Sequence, residues 1–110
     1  MAFGLNIFKT VTFDIGTTVS EIYTAPALYS AIVLSAQLTN VTGSTVLATM
    51  SVLAEDSTET ELIKDFAVPP NDASSALVGK LVLETGYGLT VVASTNNALK
   101  ITLSILESKN

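Results

Sequence analysis

Leu99, Ile101, Leu103 and Ile105 alternate without a break with Lys100, Thr102 and Ser104, and no feature constrains the fold more than this two-residue period. A helix would scatter those four apolar side chains around its circumference, whereas an extended strand puts all of them on one face. The period recurs along the chain. Ile32, Leu34, Ala36 and Leu38 alternate with Val33, Ser35, Gln37 and Thr39, and Leu89, Val91 and Ala93 alternate with Thr90, Val92 and Ser94. One side of each segment is expected to face a core throughout. Near the start, Ile7, Val11, Phe13 and Ile15 share a face with Lys9, while Phe8, Thr10, Thr12 and Asp14 take the other. Ser20 to Thr24 and Leu62 to Val68 read as further strands. In the second of these Leu62, Phe66 and Val68 align, and Pro69-Pro70 must end it because neither residue can donate to a ladder.

Two segments fit a helical period as well. In Thr45 to Ala54 the β-branched Thr49 and Val52, with Ser51, favour a strand. In Ser75 to Glu84 a helical opening is disfavoured by Gly79, which costs a helix about 1 kcal/mol relative to Ala. Both are read as strands. Turn signals separate the segments at short, even intervals: Gly16-Thr17-Thr18, Ala25-Pro26, Asn40 to Ser44, Glu55 to Thr58, Pro69 to Ser74, Gly86-Tyr87-Gly88 and Asn96-Asn97. The pattern predicts an all-β fold, a single antiparallel β-sandwich of about eight strands, for which jelly-roll connections are one solution. A chain of 110 residues suits one domain over its whole length.

Chemistry is scarce. The chain has no His, Cys, Trp or Arg, so the usual suppliers of a base near neutrality and of an activated thiol are missing. Carboxylate pairs could serve a hydrolase, and hard oxygens could hold Ca²⁺, so the cluster Glu55, Asp56, Glu59 and Glu61 has to be weighed. Its spacing matches no calcium loop, and a solvated turn accounts for it. No cofactor, metal site or enzymatic activity is expected. Asn40-Val41-Thr42 matches a glycosylation sequon, which carries weight only in a secreted chain. With five lysines, ten acidic residues and a net charge of −5, the chain cannot present the basic patch that nucleic acid or an anionic membrane requires. The opening Met1 to Leu5 is apolar but lacks the charged start and long apolar stretch of a signal peptide, and no apolar run reaches the ~18 residues of a membrane span. Synthesis in a cytoplasm is the expectation.

What the composition favours is contact. Only 14% of residues are charged, against about 25% in a typical soluble domain, which leaves few side chains to cover a monomer's surface. The expected contact residues are Phe3, Leu5 and Ile7, in an apolar arm over residues 1–8, and the tyrosines Tyr23, Tyr29 and Tyr87. Tyrosine is enriched at interfaces, although packing at the edge of the core is the favoured explanation for these three. The arm would pack on a neighbouring subunit or run as an edge strand; completing the chain's own sheet is the alternative.

Several stretches together carry a resemblance. Ile22-Tyr23-Thr24-Ala25-Pro26 is followed by Ala31-Ile32-Val33-Leu34 running to Leu38-Thr39-Asn40, then by Gly79-Lys80-Leu81-Val82-Leu83-Glu84-Thr85-Gly86 and Leu89, and the chain closes with Ser104-Ile105-Leu106-Glu107. From about Thr17 to Glu107 the sequence resembles small virion proteins of tailed bacteriophages. The resemblance implies a β-sandwich located in the virion that builds into a symmetric particle without enzymatic activity. Its partners would be copies of itself and other virion proteins such as the major capsid protein. A capsid decoration or cement protein is the leading expectation, a neck, tail or fibre-base component the near rival, and a carbohydrate- or receptor-binding module a third. In the family a polar, often acidic residue tends to follow the glycine matched by Gly86; in this chain it is Tyr87, and no functional residue carries over at that corner.

Overall fold

The computed structural model describes residues 6–110, and every clear alternating segment in that range is a strand. They are β1 (Asn6–Ile15), β2 (Ser20–Thr24), β3 (Tyr29–Asn40), β4 (Val46–Leu53), β5 (Glu59–Val68), β6 (Ala73–Ser75), β7 (Leu81–Leu83), β8 (Gly88–Ala93) and β9 (Leu99–Lys109). The described residues contain no helix. The pairings are nested. β1 pairs with β9, β2 with β8, β3 with both β6 and β7, and β4 with β5, all antiparallel. The chain is thus one long hairpin, rolled up by two further pairings, β3 with β9 and β4 with β8. Rolling leaves two facing sheets, ordered β1-β9-β3-β6 and β2-β8-β4-β5, with β7 also on β3. Counting β6 and β7 as one interrupted strand, this is the eight-stranded jelly roll.

Alternation decides which side chains lie between the sheets. Leu99, Ile101, Leu103 and Ile105 are buried from β9, Leu89, Val91 and Ala93 from β8, and Val46, Ala48 and Met50 from β4. Leu62, Phe66 and Val68 pack on this core, and Ile63 joins them, because β5 breaks register and Asp65 turns with a φ of 48°. The strand ends at Val68, before the two prolines.

Two expectations need correction. In β3 the buried residues are Ala31 and Val33, then Ala36 and Leu38, so Ile32 and Leu34 do not share a face with Ala36 and Leu38. Register with β9 shifts between Val33 and Ser35; Leu34 is the extra residue of a β-bulge, which flips the phase of everything before it. The second correction is the continuous strand expected over Ser75 to Glu84. Only Ala73–Ser75 and Leu81–Leu83 pair as strands; between them Ala76 stays buried with its amide on the Ala36 carbonyl, and the chain loops out at Val78, fully exposed, and Gly79, at a φ of 84°.

Burial predicts a sharp contrast within this fold. Leu103→Ala, in the middle of the core, should cost about 2–5 kcal/mol in denaturant unfolding. Phe8→Ala, on a side chain that is mostly in water, should change stability by no more than about 0.5 kcal/mol.

Candidate assembly surface

Paired residues in a sheet point to the same side, so the registers of β1, β9, β3 and β7 give the outer face of the first sheet row by row. Asp14, Lys100 and Thr39 form one row; Thr12, Thr102 and Gln37 the next; Thr10, Ser104 and Ser35 the next. All are polar, and Lys100 Nζ lies 3.4 Å from Asp14 Oδ1 across the first of them. The following row is Phe8, Leu106, Ile32 and Val82, one apolar side chain from each of four strands. Beyond it Asn6, Ser108 and Ser30 are polar again. The row's two ends are its most exposed members, Phe8 at 75% and Val82 at 64%. Ile32 points outward into this row because of the bulge at Leu34; with unbroken alternation it would face the core.

On the opposite side of the same sheet, directly behind the row, the interior turns polar. Glu107 continues the inward face of Leu99 to Ile105 and is only 1% exposed. Its Oε2 accepts a hydrogen bond from the Tyr23 hydroxyl, on the other sheet. Its Oε1 lies 3.1 Å from Lys9 Nζ, on the neighbouring strand. A carboxylate at a core position is tolerable only with such partners, and they tie β1, β2 and β9 together across both sheets. Burial, then the hydrogen bond to Glu107 and its negative charge, pushes the Tyr23 hydroxyl well above the ordinary tyrosine value.

The residues singled out from the sequence fall mainly at this end of the sandwich. Phe3 and Leu5 lie outside the described residues. Ile7 sits in β1 opposite Glu107. Tyr23 and Tyr87 both pack on the edge of the core. Tyr29 opens β3, half-buried, with its carbonyl accepting from the Thr85 hydroxyl. Tyr87 also lines an open hollow of about 400 Å³ with Glu55, Asp56, Glu84 and Thr85. The acidic residues there have local structural tasks. Asp56 accepts from the Thr58 hydroxyl and amide, which hold its carboxyl below the usual range, and Glu55 lies over Gly86, where a Cβ would collide with its carboxylate. Glu59 accepts from the Thr90 hydroxyl at 2.8 Å. No group of three or more acidic side chains among the described residues is arranged to hold a metal ion. Asn40, the sequon residue, is buried, and its amide nitrogen donates to the Ser44 and Val68 carbonyls; it locks the loop after β3.

Sequence reasoning missed Glu107, Lys9 and the outer row. The first had a readable signal, since an acid two residues beyond Ile105 in an unbroken alternation lands on the core face and demands a partner.

No family model matches the chain, and no curated protein sequence matches it. Solved structures do. A chain from Bacillus endospore appendages, which form disulfide-linked pili, superposes with a TM-score of 0.55 at 16% identity, covering 99% of this chain and 91% of that one. A chain from the acid-stable capsid of Helicobacter pylori bacteriophage KHP30 gives 0.55 at 14% identity, covering 94% and 87%. One from the virus-like particle of the giant freshwater prawn Macrobrachium rosenbergii extra small virus gives 0.55 at 8% identity, covering 100% and 82%. At such identities the likeness is one of fold alone, shared with chains from a phage capsid, a virus-like particle and endospore appendages.

Tyr23→Phe should lower stability by about 1.5–3 kcal/mol, the range for a hydrogen bond to a charged group. The sign of its pH dependence follows from the raised hydroxyl. The contribution is fully present below pH ~10, the ordinary tyrosine value, and is lost as pH climbs from there towards the folded-state value. Denaturant melts from pH 8 to 11.5 should show wild type losing stability above pH ~10 by an increment that Tyr23→Phe lacks.

Proposed function

We propose that this chain is a non-enzymatic structural protein of a bacteriophage virion, a decoration or cement subunit on the capsid that acts through contacts with copies of itself and with the major capsid protein. The observation that carries the reading is the outer apolar row on a jelly-roll sheet. A fold used by shell-forming chains presents its exposed apolar side chains where a neighbouring subunit can cover them, and an assembling protein gains what a monomer loses by exposing them. The resemblance to small virion proteins of tailed bacteriophages supports the particle; the absence of His, Cys and Arg supports contact over chemistry.

The pilus chain shares the fold equally well, yet the pili it comes from are disulfide-linked, and a chain without cysteine cannot be joined in that way. A carbohydrate- or receptor-binding role would draw on the tyrosines. Tyr23 commits its hydroxyl to Glu107, and Tyr87 packs on the core. Neck, tail and fibre-base positions differ from capsid decoration in symmetry, and so in copy number.

Quantitative mass spectrometry of purified particles separates these positions. A decoration subunit should be present in numbers comparable to the major capsid protein, on the order of hundreds per particle. Tens of copies would move it to the neck, tail or fibre base, and its absence from particles would overturn the virion reading altogether.

A further inference from the structure

The two sheets have four edges, and three of them are blunted against pairing with another chain. β2 has five residues and breaks register between Glu21 and Tyr23. β5 breaks register with β4, turns through Asp65 at positive φ and carries Glu59, Glu61, Lys64 and Asp65. The third edge consists of β6 and β7, three residues each, with a loop between them. Short strands, bulges and charges are the devices by which edges avoid each other. β1 is neither short nor bulged, and its two charges are of opposite sign. It runs ten residues, pairs with β9 without a register break, contains no proline, and carries one Lys and one Asp that cancel. Its other edge pairs with no strand among the described residues, and Asn6 to Thr10 are exposed on both faces.

We infer that β1 is an assembly edge, and that the strand it takes is β1 of a second copy, antiparallel about a twofold axis at Phe8. Only in that register does the apolar row of one copy meet the same row of the other. With the axis at Phe8, Phe8 opposes Phe8, Ile7 opposes Lys9, and Asn6 opposes Thr10. An axis at Lys9 would set two lysines face to face, which is unfavourable for directly opposed like charges. Pairing about Phe8 joins the two sheets into one and makes the apolar rows continuous, running from Val82 and Ile32 through Leu106 and Phe8 to the same residues of the second copy. It also brings two chains of net charge −5 together through Asn6 to Thr10, a segment that contains no acidic residue. The pairing rests on the proposed virion role only in that the chain acts by contact. It is tested on the isolated protein, so it can fail while the virion role stands, and the reverse.

Sedimentation equilibrium on the full chain should give twice the monomer mass of 11.5 kDa at high concentration. Phe8→Lys, at a position that is 75% exposed and therefore harmless to folding, should weaken the dimer on the order of tenfold or more by opposing two cations at the axis. Since the chain has no cysteine, Phe8→Cys gives a clean geometric readout. Opposed Cβ atoms about 4.5–5.5 Å apart are within reach of a disulfide after small adjustment, so mild oxidation should yield a covalent dimer, whereas Thr102→Cys, exposed on the outer face of β9 away from the edge, should not. A wild-type protein that stays monomeric at all concentrations overturns the proposal. So does a Phe8→Cys protein that fails to cross-link, or one that cross-links only to Val82→Cys in a mixture, which would mean head-to-tail contact between the β1 and β7 edges.

Discussion

β9 is the strand on which the rest of the molecule depends. It is the last strand of the chain, yet it lies inside its sheet, paired along nearly its whole length to β1 on one side and β3 on the other. The nested hairpin closes into two sheets only when this strand takes that place, because its pairing with β1 brings the outermost strands together and its pairing with β3 rolls the inner ones over them. Its alternation divides the labour. Inward, Leu99 to Ile105 fill the core and Glu107 ends it. Outward, Lys100, Thr102 and Ser104 keep the sheet soluble until Leu106 breaks the pattern and enters the apolar row.

That row and the buried carboxylate occupy opposite sides of the same few residues. Behind Phe8 and Leu106 the inter-sheet space holds Glu107 with Lys9 and Tyr23, so β1 and β9, which carry two members of the row, are tied to each other and to β2 across the sandwich by directional bonds, whereas apolar packing alone would leave them freer to shift. The pairing proposed for β1 would benefit from such fixing, since a strand that is ordered before it binds loses less freedom on binding. Buried ionic groups are a weak source of net stability; the geometry of these suits them to holding register at the end of β1 where the edge is most exposed.

Much of the fold was legible from period and punctuation. The strands whose alternation is unbroken, β9 above all, carry their inside and outside in the residue order itself, and the turns between them are marked by Gly, Pro and Asn. Legibility ended where the backbone departs from simple alternation. The bulge at Leu34 has no side-chain signature, since Ile32, Val33 and Leu34 are all apolar and any of them could face inward; the register with β9 decides, and that is a tertiary fact. The loop between β6 and β7 is similar: Leu81, Val82 and Leu83 read as strand and are one, but the positive φ at Gly79 ends any continuity with Ser75. The outer apolar row was the least legible part. Phe8, Leu106, Ile32 and Val82 lie far apart in sequence, and only the pairing of four strands lines them up.

The most direct measurement is amide hydrogen exchange along β1, in dilute solution and in the assembled state. Asn6 to Thr10 should exchange quickly at the amides pointing away from β9 when the protein is dilute, become protected on assembly, and stay unprotected in Phe8→Lys under the same conditions, while β9 remains protected throughout. Assembly that leaves the exchange of these five residues unchanged would contradict a role for the open edge of β1 in bringing two copies together.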